Sequence, residues 1–356
     1  MTAPATRAAL GPVTVSERIV SVDIVRGFAL WGVLLINMMN FGALIPDRWP
    51  EPIDQFAFWA QRFFFEMKSW RLFSFLFGFG FALQMIRASD RGARFLPMYV
   101  RRLLLLLGFG FFNWLFYFGD ILTAYALLGF VLLAFRRWSP RWILVVAALL
   151  LLVDPIDSAI RPEIPSDPEV AAQVARAENV AGTDYREERW REAMTGPVFA
   201  HWGVQARHFG LIADPRGQWE GDESWLLFFS MFLLGLYAGK RRIFQDSERH
   251  RVLIRRIFLW GLPLGLLAMT SDWIFRDFVS APLPPALRFA KEAVWAYGAT
   301  ALSLSYAAGL VLLAQRPRWN RILSPLGAMG RTALTVYLAQ SIIFTTLWSS
   351  PAFVDG

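Results

Sequence analysis

In a chain made mostly of apolar residues, Asp23 and Arg26 stand three apart at the start of a hydrophobic run, and Asn37 follows eleven residues after Arg26. Those spacings are about one and three helical turns, so the three side chains share one face of a helix. An ionisable group in lipid costs roughly 2.5–3.5 kcal/mol at the membrane centre and is kept facing a bundle interior. Such a line can lead a proton or an anion inward from a membrane surface. It can equally be an intrahelical ion pair with one interhelical amide hydrogen bond.

Other polar residues fall at the ends of apolar runs. Asp120 opens one of them, with Asn113 two turns earlier and Tyr125 just after. An N-cap explains Asp120 there, and its carboxylate is also a candidate acid or base. Arg71 opens another run and either snorkels to the outer surface or meets an anion. Thr335, Tyr337, Gln340 and Ser341 are too polar for a lipid face, so with Arg71, Tyr125 and Arg207 they are expected to line a polar path. His201 and His208 flank Arg207 seven apart, and His201 is the candidate imidazole base at the outer face. Arg26, Arg101, Arg102 and Arg331 could neutralise phosphates at an inner mouth, although anchoring the topology explains the same residues. With no cysteine and three scattered histidines, the sequence offers no metal cage and no thiol nucleophile. It also lacks the nucleophile elbow, P-loop, dinucleotide fingerprint and HExxH helix of soluble enzymes.

These residues need membrane helices to hold them. Of 356 residues, 56% are hydrophobic and the mean hydropathy is +0.40. The fold class expected is therefore all-α, a polytopic integral membrane protein. Nine spans are predicted, at about 27–45, 72–86, 103–118, 121–135, 142–153, 225–239, 257–271, 293–314 and 333–348. Basic segments follow each even-numbered span: residues 87–102 hold five Arg and one acid, and 240–256 hold seven Lys/Arg and two acids. By the positive-inside rule the N-terminus is expected to be cytoplasmic. The inner segments carry 22 Lys/Arg against 5 Asp/Glu, so the net charge of +8 is a topology signal and implies no nucleic acid partner.

The organisation expected is a cytoplasmic segment (1–26), a five-span bundle (27–153), an acidic extracytoplasmic loop (154–224), a four-span bundle (225–348) and a tail (349–356). The acidic segment has a Pro-rich linker at its start and helical composition over 169–194, and reads as a cap on the outer face. The first 18 residues lack the apolar core of a signal peptide, so the first span reads as a retained anchor. Ser74, Gly78 and Ala82 recur every four residues, as do Gly235 and Gly239, a spacing that lets helices approach closely. A homodimer is left open by the sequence.

Several stretches resemble one family in order and spacing. They are Asp23-Ile24-Val25-Arg26-Gly27 with Asn37, Leu72-Phe73-Ser74-Phe75-Leu76-Phe77-Gly78, Arg101-Arg102-Leu103 leading to Gly119-Asp120-Ile121-Leu122, Tyr125-Ala126-Leu127-Leu128-Gly129, Phe232-Leu233-Leu234-Gly235, and Gly330 through Ser341. The chain resembles the YeiB-like family of bacterial inner-membrane proteins (DUF418), grouped with the transmembrane acyltransferase superfamily that includes the lysosomal heparan-α-glucosaminide N-acetyltransferase. The resemblance implies transfer of an acyl group from a cytoplasmic donor such as acyl-CoA to an extracytoplasmic glycan or lipid-linked acceptor. It implies no tightly bound cofactor, acyl-CoA as co-substrate, and membrane lipids as partners. In that reading Asp23, Asn37, Asn113, Asp120 and His201 are the catalytic candidates, and Arg26, Arg101, Arg102 and Arg331 bind the donor. The same buried polar residues would serve a transporter or flippase of a small or lipid-linked solute, which the short fifth span would suit. Two departures stand out. The family carries a histidine in the third span where this chain reads Phe111-Phe112-Asn113-Trp114, and it continues with a tenth span beyond the Gln340-Ser341 motif.

Overall fold

The computed structural model describes residues 18–42, 51–114, 120–160, 225–278 and 283–348. Among these residues the fold is helical, without strands. The helices are α1 (Val20–Gly42), α2 (Pro52–Phe64), α3 (Lys68–Asp90), α4 (Phe95–Trp114), α5 (Ile121–Leu132), α6 (Pro140–Leu150), α7 (Val153–Ile160), α8 (Trp225–Lys240), α9 (Arg251–Phe278), α10 (Pro285–Ala314), α11 (Pro317–Arg331) and α12 (Ala333–Trp348). Four of them begin at proline, whose missing N–H costs nothing in the first turn and whose φ is already helical.

Among the described residues, six stretches are long and apolar enough to cross a membrane: Val20–Met38, Pro52–Asp90, Phe95–Trp114, Pro140–Ile160, Arg251–Phe275 and Pro285–Ala314. Trp225–Lys240 and Ala333–Phe344 are apolar but shorter. The chain is a multi-pass membrane protein. Its outward faces agree: Leu104 and Phe111 on α4, Leu149 on α6, and Trp260 and Leu267 on α9 are exposed apolar side chains, which lipid would cover.

Three elements differ from the sequence expectation. Helix α2 lies where a loop was expected. Phe56, Trp59 and Phe63 lie along one side, with the Trp59 and Phe63 rings stacked at 5.0 Å, and Met67 at φ 62° interrupts the helix between α2 and α3. The fifth span extends past residue 153. Pro155 has no N–H to donate to the Leu151 carbonyl, so the helix ends at Leu150 and restarts as α7 instead of passing into a linker. The basic segment at 315–331 is largely the helix α11, with Trp319 and Ile322 exposed and Gly327 and Gly330 buried.

The core forms where small residues let helix backbones meet. A Cβ on Gly78 would overlap the Phe232 carbonyl, and one on Gly235 would overlap that of Phe75, so α3 and α8 pack backbone to backbone as the spacing predicted. Gly27 and Gly330 join α1 to α11 in the same way, through the carbonyls of Leu326 and Asp23. At the end of α8, Lys240 donates to the carbonyls of Arg136 (2.8 Å) and Trp138 (2.6 Å), which ties the short 3-10 turn Leu133–Arg137 to the bundle.

Candidate functional site

A cavity of about 670 Å³ opens between α1, α3, α4, α5 and α12. Each helix contributes residues of one side. From α3 and its C-cap these include Phe73, Phe77, Gly80, Gln84, Arg87 and Arg91; from α4, Met98, Arg102, Leu105 and Phe109; from α1, Val22, Asp23 and Arg26. One end is cationic. Arg18, Arg26, Arg87, Arg91, Arg102 and Arg331 line it, and Asp23 is the one acidic residue among the described lining residues. The other end is aromatic and apolar, closed by Phe73, Leu122, Tyr125 and Tyr337. From Arg91 to Phe73 the cavity follows α3 for eighteen residues, about 27 Å at 1.5 Å per residue, close to the roughly 30 Å of a hydrocarbon core.

The local geometry follows from neighbouring packing. Arg26 donates to Asp23 at 2.9 Å, the pair that the i,i+3 spacing predicted. Gly330 seats α11 on the Asp23 backbone and so delivers Arg331 to the same mouth. At the deep end, Tyr125 Oη shares a 2.6 Å hydrogen bond with Ser74 Oγ and donates to the Trp70 carbonyl at 3.2 Å. Its ring meets Phe77 and Phe232 edge-on, with centroids 5.5 and 5.1 Å away. Tyr337 Oη accepts from the Ile121 amide at 3.3 Å.

One residue further lies a buried polar knot. Asp120 caps α5, accepting from Thr123 N and Thr123 Oγ1 at 2.8 Å each and from Asn113 Nδ2 at 3.0 Å. Gly110 leaves room for it, since a Cβ there would overlap Thr123 and Asp120. Asn113 Oδ1 and both amide atoms of Gln340 are buried with no hydrogen-bond partner among the described residues. Such groups cost stability unless a water or a ligand satisfies them.

The sequence candidates therefore divide. Asp23, Arg26, Arg102, Arg331, Tyr125 and Tyr337 line one cavity, and Asp120 and Asn113 lie just past its end without lining it. Arg101 does not join them: adjacent helix residues point about 100° apart, so only one of the Arg101–Arg102 pair faces the cavity. Asn37 is buried but lies off the cavity, so the polar line along α1 stops at its first turns.

Arg71 neither snorkels nor lines the cavity. It is fully buried, donates to the Ala296 carbonyl (2.7 Å) and Thr300 Oγ1 (3.2 Å), and lies 4.6 Å over the Trp295 ring. Thr335 is exposed on the outer side of α12, away from the interior path expected of it. Gln340 and Ser341 are buried, with Ser341 Oγ donating to the Tyr337 carbonyl at 3.3 Å. His201, His208 and Arg207 lie outside the described residues.

Sequence reasoning missed Arg18 and Gln84, and it read Arg87 and Arg91 only as part of the basic 87–102 segment that sets the topology. Arg87 and Arg91 are four apart and continue the face of Phe73, Phe77 and Gln84, so the helical repeat of α3 carried that signal. Among the described residues no three His, Cys, Asp or Glu side chains gather to hold a metal ion. A cluster of arginines has the charge and hydrogen-bond geometry that suit anions.

No solved structure matches the chain. The family described as "Protein of unknown function (DUF418)" matches residues 238–354. The uncharacterized protein YxaH of Bacillus subtilis is 33% identical over 361 residues, covering 95% of this chain and 83% of YxaH. An uncharacterized 39.9 kDa protein from the amylase 3′ region of Bacillus acidopullulyticus is 28% identical, covering 94% and 80%. The uncharacterized protein YeiB of Escherichia coli is 29% identical, covering 93% and 84%. Similarity across nearly the whole length, together with the family match over α9 to α12, makes this chain a member of the YeiB-like DUF418 family.

Proposed function

We propose that the protein is a membrane acyltransferase that takes an acyl group from a cytoplasmic donor such as acyl-CoA and passes it to a glycan or lipid-linked acceptor. One observation carries this reading: a single cavity has arginines at one end and aromatic and apolar side chains at the other. An acyl-CoA has that polarity, with phosphates at one end and an acyl thioester at the other. In this reading the chain crosses the bacterial inner membrane nine times with its N-terminus inside. The arginine end then faces the cytoplasm, and the acidic 154–224 segment lies over the outer face.

The reaction places the donor phosphates on Arg102, Arg331 and their neighbours, and the thioester by Tyr337. In this reading the acceptor enters from beyond the cavity's end, where Asp120 takes the proton from its hydroxyl or amine as that atom attacks the thioester carbonyl. The new C–O or C–N bond forms, the C–S bond breaks, and the proton passes to the departing thiolate. Asn113 and Thr123 hold the carboxylate in place through the bonds described above.

The length of the cavity favours a second reading, a transporter or flippase of a small or lipid-linked anion, because the lining nearly spans a bilayer. Purified protein in nanodiscs, titrated with acetyl-CoA by calorimetry and then incubated with radiolabelled acetyl-CoA and membrane lipid extract, separates the two. Saturable binding with labelled lipid or glycan product supports acyl transfer. Absence of acetyl-CoA binding at millimolar concentration sinks it, and uptake of an unmodified solute in proteoliposomes would move the assignment to transport.

A further inference from the structure

The cavity is open, and apolar residues of its wall on α4 and α12 are exposed. Leu105 and Phe109 of α4 and Leu334 of α12 line the cavity and are 58%, 42% and 38% exposed. Among the described residues α4 packs chiefly on α5 and α12 chiefly on α1, and α4 and α12 touch each other only lightly, so the seam between them is thinly closed. Lipid would cover exposed apolar side chains on these two helices, so an opening between them would be lateral.

Both edges of the seam bring a cation close to apolar side chains. On α4, Arg102 lies three residues before Leu105 and seven before Phe109 on one helical face; on the other edge Arg331 ends α11 and Leu334 lies in the first turn of α12, and both line the cavity. Both arginines are exposed at the cationic end of the cavity. A cation at the interface with apolar residues above it mirrors a phospholipid, whose phosphate lies at the interface with its chains above.

We propose that the α4–α12 seam is a lateral portal that binds an anionic phospholipid of the inner leaflet, its headgroup phosphate on Arg102 and Arg331 and one chain along Leu105, Phe109 and Leu334. This goes beyond the acyl-transfer reading, because it assigns the same cavity a membrane-resident ligand whatever the reaction is.

The chain has no native cysteine, so a single introduced thiol can be labelled without background. Leu105→Cys, labelled with bimane and placed in phosphatidylcholine nanodiscs, is quenched by a minor fraction of brominated phosphatidylglycerol or, separately, of brominated phosphatidylcholine. Two arginines near an anionic headgroup should enrich phosphatidylglycerol about tenfold at the seam. Quenching by the brominated phosphatidylglycerol should therefore be several times stronger. The same label at Leu149→Cys, on a lipid-facing surface of α6, should show no such preference. Arg102→Gln with Arg331→Gln should abolish the preference at position 105, and Arg102→Lys with Arg331→Lys, which keep the charge, should retain it. Equal quenching by the two lipids at position 105, or a preference that survives loss of both charges, overturns the proposal. The measurement contains no acyl-CoA, so its failure is separate from a failure of acetyl-CoA to bind.

Discussion

Gly330 lies so close to the carbonyl of Asp23 that a Cβ on it would overlap that oxygen and the Gly27 amide nitrogen. This contact sets α11 against α1 and brings Arg331 to the mouth that Arg26 already lines. Gly330→Ala must push the two backbones apart, and overpacking of this kind costs about 1–3 kcal/mol. A Cβ on Gly80, which lies on α3, would meet nothing within 4 Å. Gly80→Ala should therefore hold or raise thermal stability through its helix propensity, while Gly330→Ala lowers it. Fluorescence-detected size-exclusion chromatography after heating reads both variants. Equal midpoints would show that the glycine contact does not hold α11 in place.

Arg91 tests whether the cavity is an anion site. By sequence it is one of five arginines in the basic 87–102 segment that orients the chain; in the structure it lines the cavity with Arg102. Arg91→Gln and Arg102→Gln should each weaken acetyl-CoA binding about tenfold, the loss expected for one charge-assisted contact. Arg137→Gln should leave binding unchanged, because Arg137 is exposed and does not line the cavity. Calorimetric titration is the readout, and three equal affinities would return Arg91 to the role of anchor.

Asp120 has a structural duty and a proposed chemical one, and two substitutions separate them. Asp120→Ala removes the cap of α5 and the partner of Asn113, and should cost about 1–2 kcal/mol or more, since the site is buried. Asp120→Asn keeps an oxygen to accept from Thr123 but is a far weaker base. It should keep most of the thermal stability and lose acyl transfer. Full turnover by the asparagine variant would confine Asp120 to capping.

Gln340 is buried with neither amide atom partnered among the described residues. Leucine in its place removes an unsatisfied polar group at similar size, which should raise stability by about 1 kcal/mol. If a ligand or water satisfies the amide in the working protein, Gln340→Leu should also reduce turnover. A lower melting temperature would show that the amide already has its partners.

Local chemistry is legible in the order of the residues. The Asp23–Arg26 pair, the Asp120 cap and the glycine seams of α3 and α8 all depend on residues within a few turns or on small side chains that any neighbour would exploit. The membrane helices are legible too, because lipid forces each crossing segment to satisfy its own backbone. The middle of the helices is marked more clearly than their ends: α2, α11 and the continuation into α7 depend on amphipathic faces and a proline break, which leave weaker marks than a long apolar run.

What the tertiary structure alone decided is which polar residues meet. Arg71 finds its partners 225 and 229 residues away on α10, and Tyr337 meets Ile121 across 216. Arg91 joins Arg26 and Arg331 only because three helices converge at one end of the cavity. A helical repeat determines that residues share a face; it does not determine what that face meets. The rotation of each helix about its own axis is set by packing against its neighbours, and that rotation turned Arg102 inward and left Arg101 and Thr335 outside.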